Sequence, residues 1–318
     1  MPLDPSAGRF LRLLAASSPQ SMRNAPVEDR RAALVELMKF GGPPPPIGAV
    51  EDRTVPGPAG PLGVRLYTPI DAPAGSLPGG RNDLMPGVVY FHGGGLVAGT
   101  VATHDSIARM LANAGACRVV SVGYRLAPEH QFPSALEDAL ASVSYLRAGA
   151  AEFGIDAARL GICGDSAGGT LAAATCQALA GRAAPALQIL LCPILDYSRT
   201  TPSRRELASG YMIDEEVLAH DLSLYLPAGT DPADCRISPL RAGVLRSLPR
   251  TIIHTAEFDP LRDEGRDYFE RLSHAGCDVS YTCHPGMIHL FYGLGAVIPY
   301  AHAALRQIGR EIRAALGG

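Results

Sequence analysis

The chain reads as an α/β protein on a mostly parallel central sheet with helices on both faces. Three observations point there. Short apolar runs alternate with helix-length patterns from residue 87 to the last helix, the rhythm of parallel strands joined by crossover helices. Gly164-Asp165-Ser166-Ala167-Gly168 falls between the apolar run Leu160 to Cys163 and an Ala-rich helical run. It is a G-x-S-x-G sequence in the strand, sharp turn and helix context which that motif requires. His92-Gly93-Gly94-Gly95 directly follows the apolar run Val88-Val89-Tyr90-Phe91.

Residues 1–48 carry two helical patterns, Pro5 to Ser17 and Val27 to Phe40, with Phe10, Leu11, Leu13 and Leu14 and then Ala33, Leu34, Leu37 and Met38 at helical spacing. Pro43 to Pro46 ends the second, since consecutive prolines cannot continue a helix. This segment is expected as a separate N-terminal helical element whose apolar faces must pack on something, a flap over a functional site being one candidate. Val50 to Val55 and Val64 to Tyr67 flank the turn Gly57 to Pro61 as a hairpin. Asp71 to Met85 is rich in Pro, Gly and Asn and reads as a surface loop.

Alternation follows: strand Gly87 to Phe91, helix Thr103 to Gly115, strand Arg118 to Tyr124, helix Pro133 to Ala148, strand Leu160 to Cys163, a helix to Ala180 and strand Leu187 to Leu191. After an interruption come strand Thr251 to Thr255, helix Arg262 to Ala275, strand Val279 to Cys283 and a helix from Ile298 to Leu316. The interruption, residues 196–249, is far longer than an ordinary connection. It holds a helical pattern at Asp214 to Leu226 between turn signals at Thr201-Pro202-Ser203 and Pro227 to Pro232. An insertion there is where a lid belongs, so it is expected as an inserted segment, with 49–195 and 250–318 forming the main α/β domain.

Composition excludes several classes. A chain of 318 residues with 47% hydrophobic content can bury a large core. A net charge of −3 leaves no basic field for nucleic acid. No apolar run approaches the roughly 18 residues that span a bilayer, and Met1-Pro2-Leu3-Asp4-Pro5 does not open a signal peptide. Seven cysteines without C-x-x-C spacing argue against a disulfide framework or a zinc site, and Cys163 and Cys192 read as core packing. The expected compartment is the cytoplasm.

A nucleophilic Ser166 needs a base and an orienting acid, which this topology supplies in the order Ser, acid, His, each just after a strand. Asp259 lies in the turn after Thr251 to Thr255, and His289 on the segment after Val279 to Cys283. The separations are 93 and 30 residues. Glu257 or Asp263 could replace the acid, and His284 the base. The glycines of His92 to Gly95 let backbone amides face a developing oxyanion without side chains in the way, and the amide of Ala167 would complete the set. His92 reads as a structural hydrogen-bonder. Neither a P-loop nor a G-x-G-x-x-G is present.

Together with Tyr124-Arg125-Leu126-Ala127-Pro128-Glu129-His130, Asp259-Pro260-Leu261-Arg262-Asp263 and His289-Leu290-Phe291, these motifs resemble the hormone-sensitive-lipase-like family of α/β-hydrolase esterases over residues 50 to 318. The resemblance implies Ser166 as nucleophile, Asp259 as acid, His289 as base, and oxyanion donors at Gly93, Gly94 and Ala167. It also implies a cap over the acyl and alcohol pockets, a small-molecule ester substrate, no metal or organic cofactor, and a homodimer through the last strand and helix. Leu96 stands where the family often has a bulky aromatic, and the Asp71–Met85 loop looks longer than the family needs. Leu96, Val97, Tyr197, Tyr211, Met212 and Phe291 are expected near the site; each reads first as core or lid packing, so none is assigned a pocket role. The expected activity is a serine carboxylesterase for short- to medium-chain acyl esters. The alternatives are amide or lactone hydrolysis, and a non-catalytic receptor on the same scaffold, from which the catalytic His is lost.

Overall fold

A computed structural model describes residues 1–17, 25–73, 84–243 and 245–317. Among these residues, eight strands form one sheet in the order β1-β2-β4-β3-β5-β6-β7-β8, with β1 (Ala49–Gly57), β2 (Gly60–Thr68), β3 (Met85–Phe91), β4 (Arg118–Val122), β5 (Ile155–Asp165), β6 (Leu187–Leu191), β7 (Arg250–Phe258) and β8 (Val279–Ile288). β1 and β2 make the expected hairpin, Gly57 pairing with Gly60 across a two-residue turn. β2 runs antiparallel to β4, and every later pairing is parallel.

Period-two alternation divides the core between the two faces of the sheet. Val88, Tyr90, Val119, Cys163 and Ile189 pack with α3 (Asp105–Gly115) and α9 (Tyr300–Leu316). Val89, Phe91, Val120, Val122 and Ile162 pack with α4 (Ser134–Ala148), α5 (Ala167–Leu179) and α8 (Arg262–His274). Because both faces are covered, β4 and β6 are buried at every residue, and their sequences RVVSV and LQILL show no exposed face.

α1 (Pro5–Ser17) buries Ala7 and Phe10, while Leu13 is exposed. α2 (Val27–Met38) buries Leu34 and continues as a short 3-10 turn, Lys39–Gly41. The 196–249 stretch contributes α6 (Pro202–Glu206) and α7 (Glu215–Tyr225). Pinning it to α8 is a buried ion pair, Arg204 Nε to Glu264 Oε1 at 2.7 Å, between α6 and α8. Glu264 Oε2 also accepts the amides of Leu195 and Asp196.

Several boundaries differ from the sequence reading, β4 ending at Val122 rather than Tyr124 and β7 running on to Phe258 rather than ending at Thr255 among them; three change how an element is read. Thr201-Pro202-Ser203, read as a turn signal, starts α6: the Thr201 side chain accepts the Arg204 amide at 3.2 Å and Pro202 takes the first helical position, as cap and proline preferences allow. β5 begins at Ile155, which pairs with Met85, rather than at Leu160. β8 runs through Pro285 and Gly286 to Ile288, beyond the expected end at Cys283. It is an edge strand, where proline is tolerated. Its register against β7 shifts between Ala256 and Phe258, with Ala256 opposite His284 and Phe258 opposite Ile288. Most of the loop expected at Asp71 to Met85 lies outside the described residues, since 74–83 are not among them.

Candidate active site

Ser166 stands at the N-cap of α5, immediately after β5, with φ 52° and ψ −121°. A non-glycine residue held there is strained by about 1–3 kcal/mol, so the surroundings must fix it. They do so through the backbone: Ser166 N donates to Leu191 O at 2.9 Å and Ser166 O accepts from Ile194 N at 3.1 Å. The flanking glycines have a steric cause. A Cβ at Gly164 would meet Gly168 O and lie 2.8 Å from Gly169 N; one at Gly168 would meet Phe91 O and lie 2.6 Å from His92 O.

The bulge at the end of β8 turns the chain so that His289 lies across the carboxyl end of the sheet from Ser166. His289 Nε2 is 3.1 Å from Ser166 Oγ, and His289 Nδ1 is 2.8 Å from Asp259 Oδ2. Asp259 Oδ1 accepts the Leu261 amide at 2.8 Å. All three side chains are buried. With Nδ1 donating to the carboxylate, Nε2 is left as the acceptor for the serine hydroxyl proton. The structure thus brings together three of the predicted residues from elements 93 and 30 positions apart.

The rivals are engaged elsewhere. Glu257 accepts the Gly286 amide and pairs with the amino terminus, which holds its carboxyl below the ordinary range. Asp263 accepts the Ser203 amide and pairs with Arg262. His284 stacks on His254, with its Nε2 3.0 Å from His254 Nδ1 and its own Nδ1 3.1 Å from Tyr300 Oη. Burial and the neighbouring His254 push it down to about 3.

The glycine loop requires a correction. Gly93 N, expected as an oxyanion donor, donates to Asp165 Oδ1 at 3.0 Å, and that oxygen also takes the Tyr90 hydroxyl at 2.5 Å. Gly93 therefore anchors the loop. Among the described residues, the amides of Gly94, Gly95 and Ala167 have no protein hydrogen-bond partner. A Cβ at Gly93 would lie 3.1 Å from Ser166 Cβ, so the loop adjoins the serine. The role of Asp165 was missed; its place beside Ser166, in a motif position free to vary, was the one available signal. Burial alone would push its carboxyl up, yet the facing His104 and the Tyr90 hydroxyl hold it below the ordinary range.

His92 is structural in its contacts: Nδ1 lies 2.9 Å from Gly93 O and its own carbonyl accepts the Tyr124 hydroxyl at 2.6 Å. Burial and His104 push its imidazole down to about 3, so it stays neutral. Arg125 and Asp138 pair at 2.7 Å, and Glu129 takes both Arg31 Nη atoms at 2.8 and 2.7 Å, so the Tyr124–His130 stretch is tied to helices α4 and α2.

Phe291 is buried in a ring cluster with His284, Tyr292 and Tyr300, and Leu96 and Val97 are also buried. Tyr211 stacks on Phe258 at 5.8 Å. Cys192, read as core packing, is buried but sits beside Asp259 and His289. Its Sγ, an Asp259 oxygen and a His289 nitrogen lie within 4.8 Å of one another. Those are metal-ligand types, but His289 and Asp259 already satisfy each other at 2.8 Å, and burial pushes the thiol up, so it stays protonated. The set is better described as a hydrogen-bonded pair with a thiol neighbour. No helix among the described residues is long and apolar enough to cross a membrane.

Comparison with known proteins agrees with this architecture. A family model described as the alpha/beta hydrolase fold matches residues 88–293. The ethyl acetate hydrolase of Pseudomonas putida is 38% identical over 251 residues, covering 78% of this chain and 76% of that protein. The arylesterase of Saccharolobus solfataricus is 32% identical over 295 residues, covering 92% and 93%. An ester hydrolase from the metagenome of Lake Arreo, solved with a bipyridine phosphonate derivative, superposes with a TM-score of 0.94 at 38% identity, covering 99% of this chain and 100% of that one. With the match spanning most of the sheet and relatives of this identity along most of its length, the chain belongs to the α/β-hydrolase fold family.

Proposed function

We propose that the chain is a serine carboxylesterase of the hormone-sensitive-lipase-like type, acting on short- to medium-chain acyl esters through an acyl-enzyme. The observation that carries the reading is the aligned pair of contacts at His289, 3.1 Å to Ser166 Oγ and 2.8 Å to Asp259 Oδ2. Ser166 Oγ attacks the ester carbonyl as His289 Nε2 takes its proton; Asp259 holds the tautomer and favours the imidazolium. His289 then gives the proton to the departing alcohol, and water, activated by the same imidazole, releases the acid. The oxyanion is received by the amides of Gly94, Gly95 and Ala167, Gly93 being committed to Asp165. Relatives named ethyl acetate hydrolase and arylesterase support small acyl groups and an aromatic or short alkyl alcohol.

Hydrolysis of p-nitrophenyl esters from acetate to laurate, by wild type and Ser166→Ala, tests the reading. The expected result is activity greatest on the shorter chains and lost by several orders of magnitude in the variant. A folded Ser166→Ala protein that keeps most of the activity would refute it.

A further inference from the structure

Of two consecutive arginines on α2, one reaches the segment after the glycines and the other holds a carboxylate that lies against them. Arg31 Nε donates to Val97 O at 2.9 Å. Arg30 grips Asp221 of α7 with two bonds, Nη2 to Oδ2 at 2.9 Å and Nε to Oδ1 at 3.3 Å, across 191 residues of sequence. The Asp221 side chain is 4% exposed, and its carboxylate is seated directly on Gly95. A Cβ at Gly95 would strike Oδ2 and lie 2.7 Å from Asp221 Cγ. Gly95 has φ +70°, a conformation that glycine adopts freely and that therefore needs an outside contact to hold it.

A carboxylate in this place needs a reason. Replacing a buried ion pair with apolar groups is commonly neutral or stabilising, so stability alone does not account for one sitting on a catalytic loop. Its negative charge, next to amides that receive a developing oxyanion, would oppose that charge unless cancelled, and Arg30 cancels it.

Resting on the oxyanion assignment above, we propose that the Arg30–Asp221 pair is a positioning device for the reaction. The carboxylate backs Gly95 and fixes its amide, while the guanidinium neutralises the carboxylate so that it does not oppose the oxyanion. Neither residue touches the reacting atoms; both act through Gly95. The same pair joins α2 and α7 over the loop, so the two chain segments outside the sheet complete the site together.

Steady-state kinetics on p-nitrophenyl acetate, with thermal midpoints, test this in Asp221→Asn, Asp221→Ala, Arg30→Gln, Arg30→Gln/Asp221→Asn and Ser166→Ala. Asp221→Asn keeps the contact with Gly95, and its kcat should stay within about threefold of wild type. Asp221→Ala leaves Gly95 unbacked and should lose about tenfold in kcat with KM within about twofold, a fraction of the 10²–10³ that a whole oxyanion donor supplies. Arg30→Gln removes the cation that favours the ionised form of buried Asp221; at alkaline pH, where the carboxylate is ionised and uncancelled, kcat should fall at least as much, and the double variant should return to the Asp221→Asn value. Equal kcat in Asp221→Ala and Asp221→Asn overturns the positioning role. A double variant no better than Arg30→Gln overturns the charge role. If Arg30→Gln does not fold, the comparison of the two Asp221 variants decides. Ser166→Ala separates the two levels: if it retains activity, the triad reading has failed. If it is inactive while Arg30 and Asp221 variants match wild type, only the present proposal has.

Discussion

Gly168→Ala probes the packing that strains Ser166 into place. The new Cβ would lie 2.6 Å from His92 O and closer still to Phe91 O, where ordinary contacts begin at 3.4 Å. Both obstacles are backbone carbonyls at the end of β3, so neither can rotate aside. Relief requires α5 and β3 to part by about 1 Å, an overpacking strain of roughly 3 kcal/mol, the upper part of the usual range. At about 2.1 cal/mol/K per residue, unfolding a chain of 318 residues has an entropy near 0.7 kcal/mol/K, so the midpoint should drop by about 4 °C. The same 1 Å separates Ser166 from the Gly94–Gly95 amides, and a misplacement of that size costs about 10²-fold in rate. The assay pairs differential scanning calorimetry with kcat/KM on p-nitrophenyl butyrate. Gly63→Ala is the control, since its Cβ would meet no atom within 4 Å. A Gly168→Ala enzyme indistinguishable from Gly63→Ala in both measurements would refute the steric account of the elbow.

Two further outcomes follow from the buried charges. His92 and His284 are held neutral, each pushed down to about 3 by burial and a neighbouring histidine, while in the unfolded chain they take up protons near pH 6.5. Stability present above that pH is therefore lost as pH falls from 6.5 toward 3. Between pH 6 and pH 5 the loss is about 2 kcal/mol for the pair. His284→Gln should roughly halve that slope in urea unfolding, and an unchanged slope would contradict it. Arg204→Met strips the cation from buried Glu264 and should cost about 3–5 kcal/mol in denaturant unfolding. Adding Glu264→Gln should recover more than half; no recovery would mean that the pair does not hold α6 to α8.

Much of the fold and of the proposed triad was legible because the chemistry constrains residue type locally. Only glycine fits at 164 and 168, so the elbow is visible in five letters, and a nucleophile on it requires an acid and a histidine after later strands. Long-range contacts leave no such trace. Arg30 and Asp221 are 191 residues apart, and neither looks unusual in its own neighbourhood. The Gly93 assignment failed because the three glycines are identical as letters; which amide is free depends on Asp165 on another strand. The end of β8 was hidden by Pro285-Gly286, a pair that normally marks a turn and here lies in an edge-strand bulge. α6 was hidden because Thr-Pro-Ser serves equally as a turn and as a helix start.

The most direct test of the central claim is covalent. Incubating the enzyme with a p-nitrophenyl phosphonate ester and mapping the adduct by peptide mass spectrometry reports which atom attacks. The expected result is one phosphonyl group per chain, on Ser166, formed at the rate at which esterase activity disappears, and no adduct in His289→Ala. Activity lost with the phosphonyl group on another residue, or a fully labelled Ser166 in an enzyme that still hydrolyses esters, would contradict it.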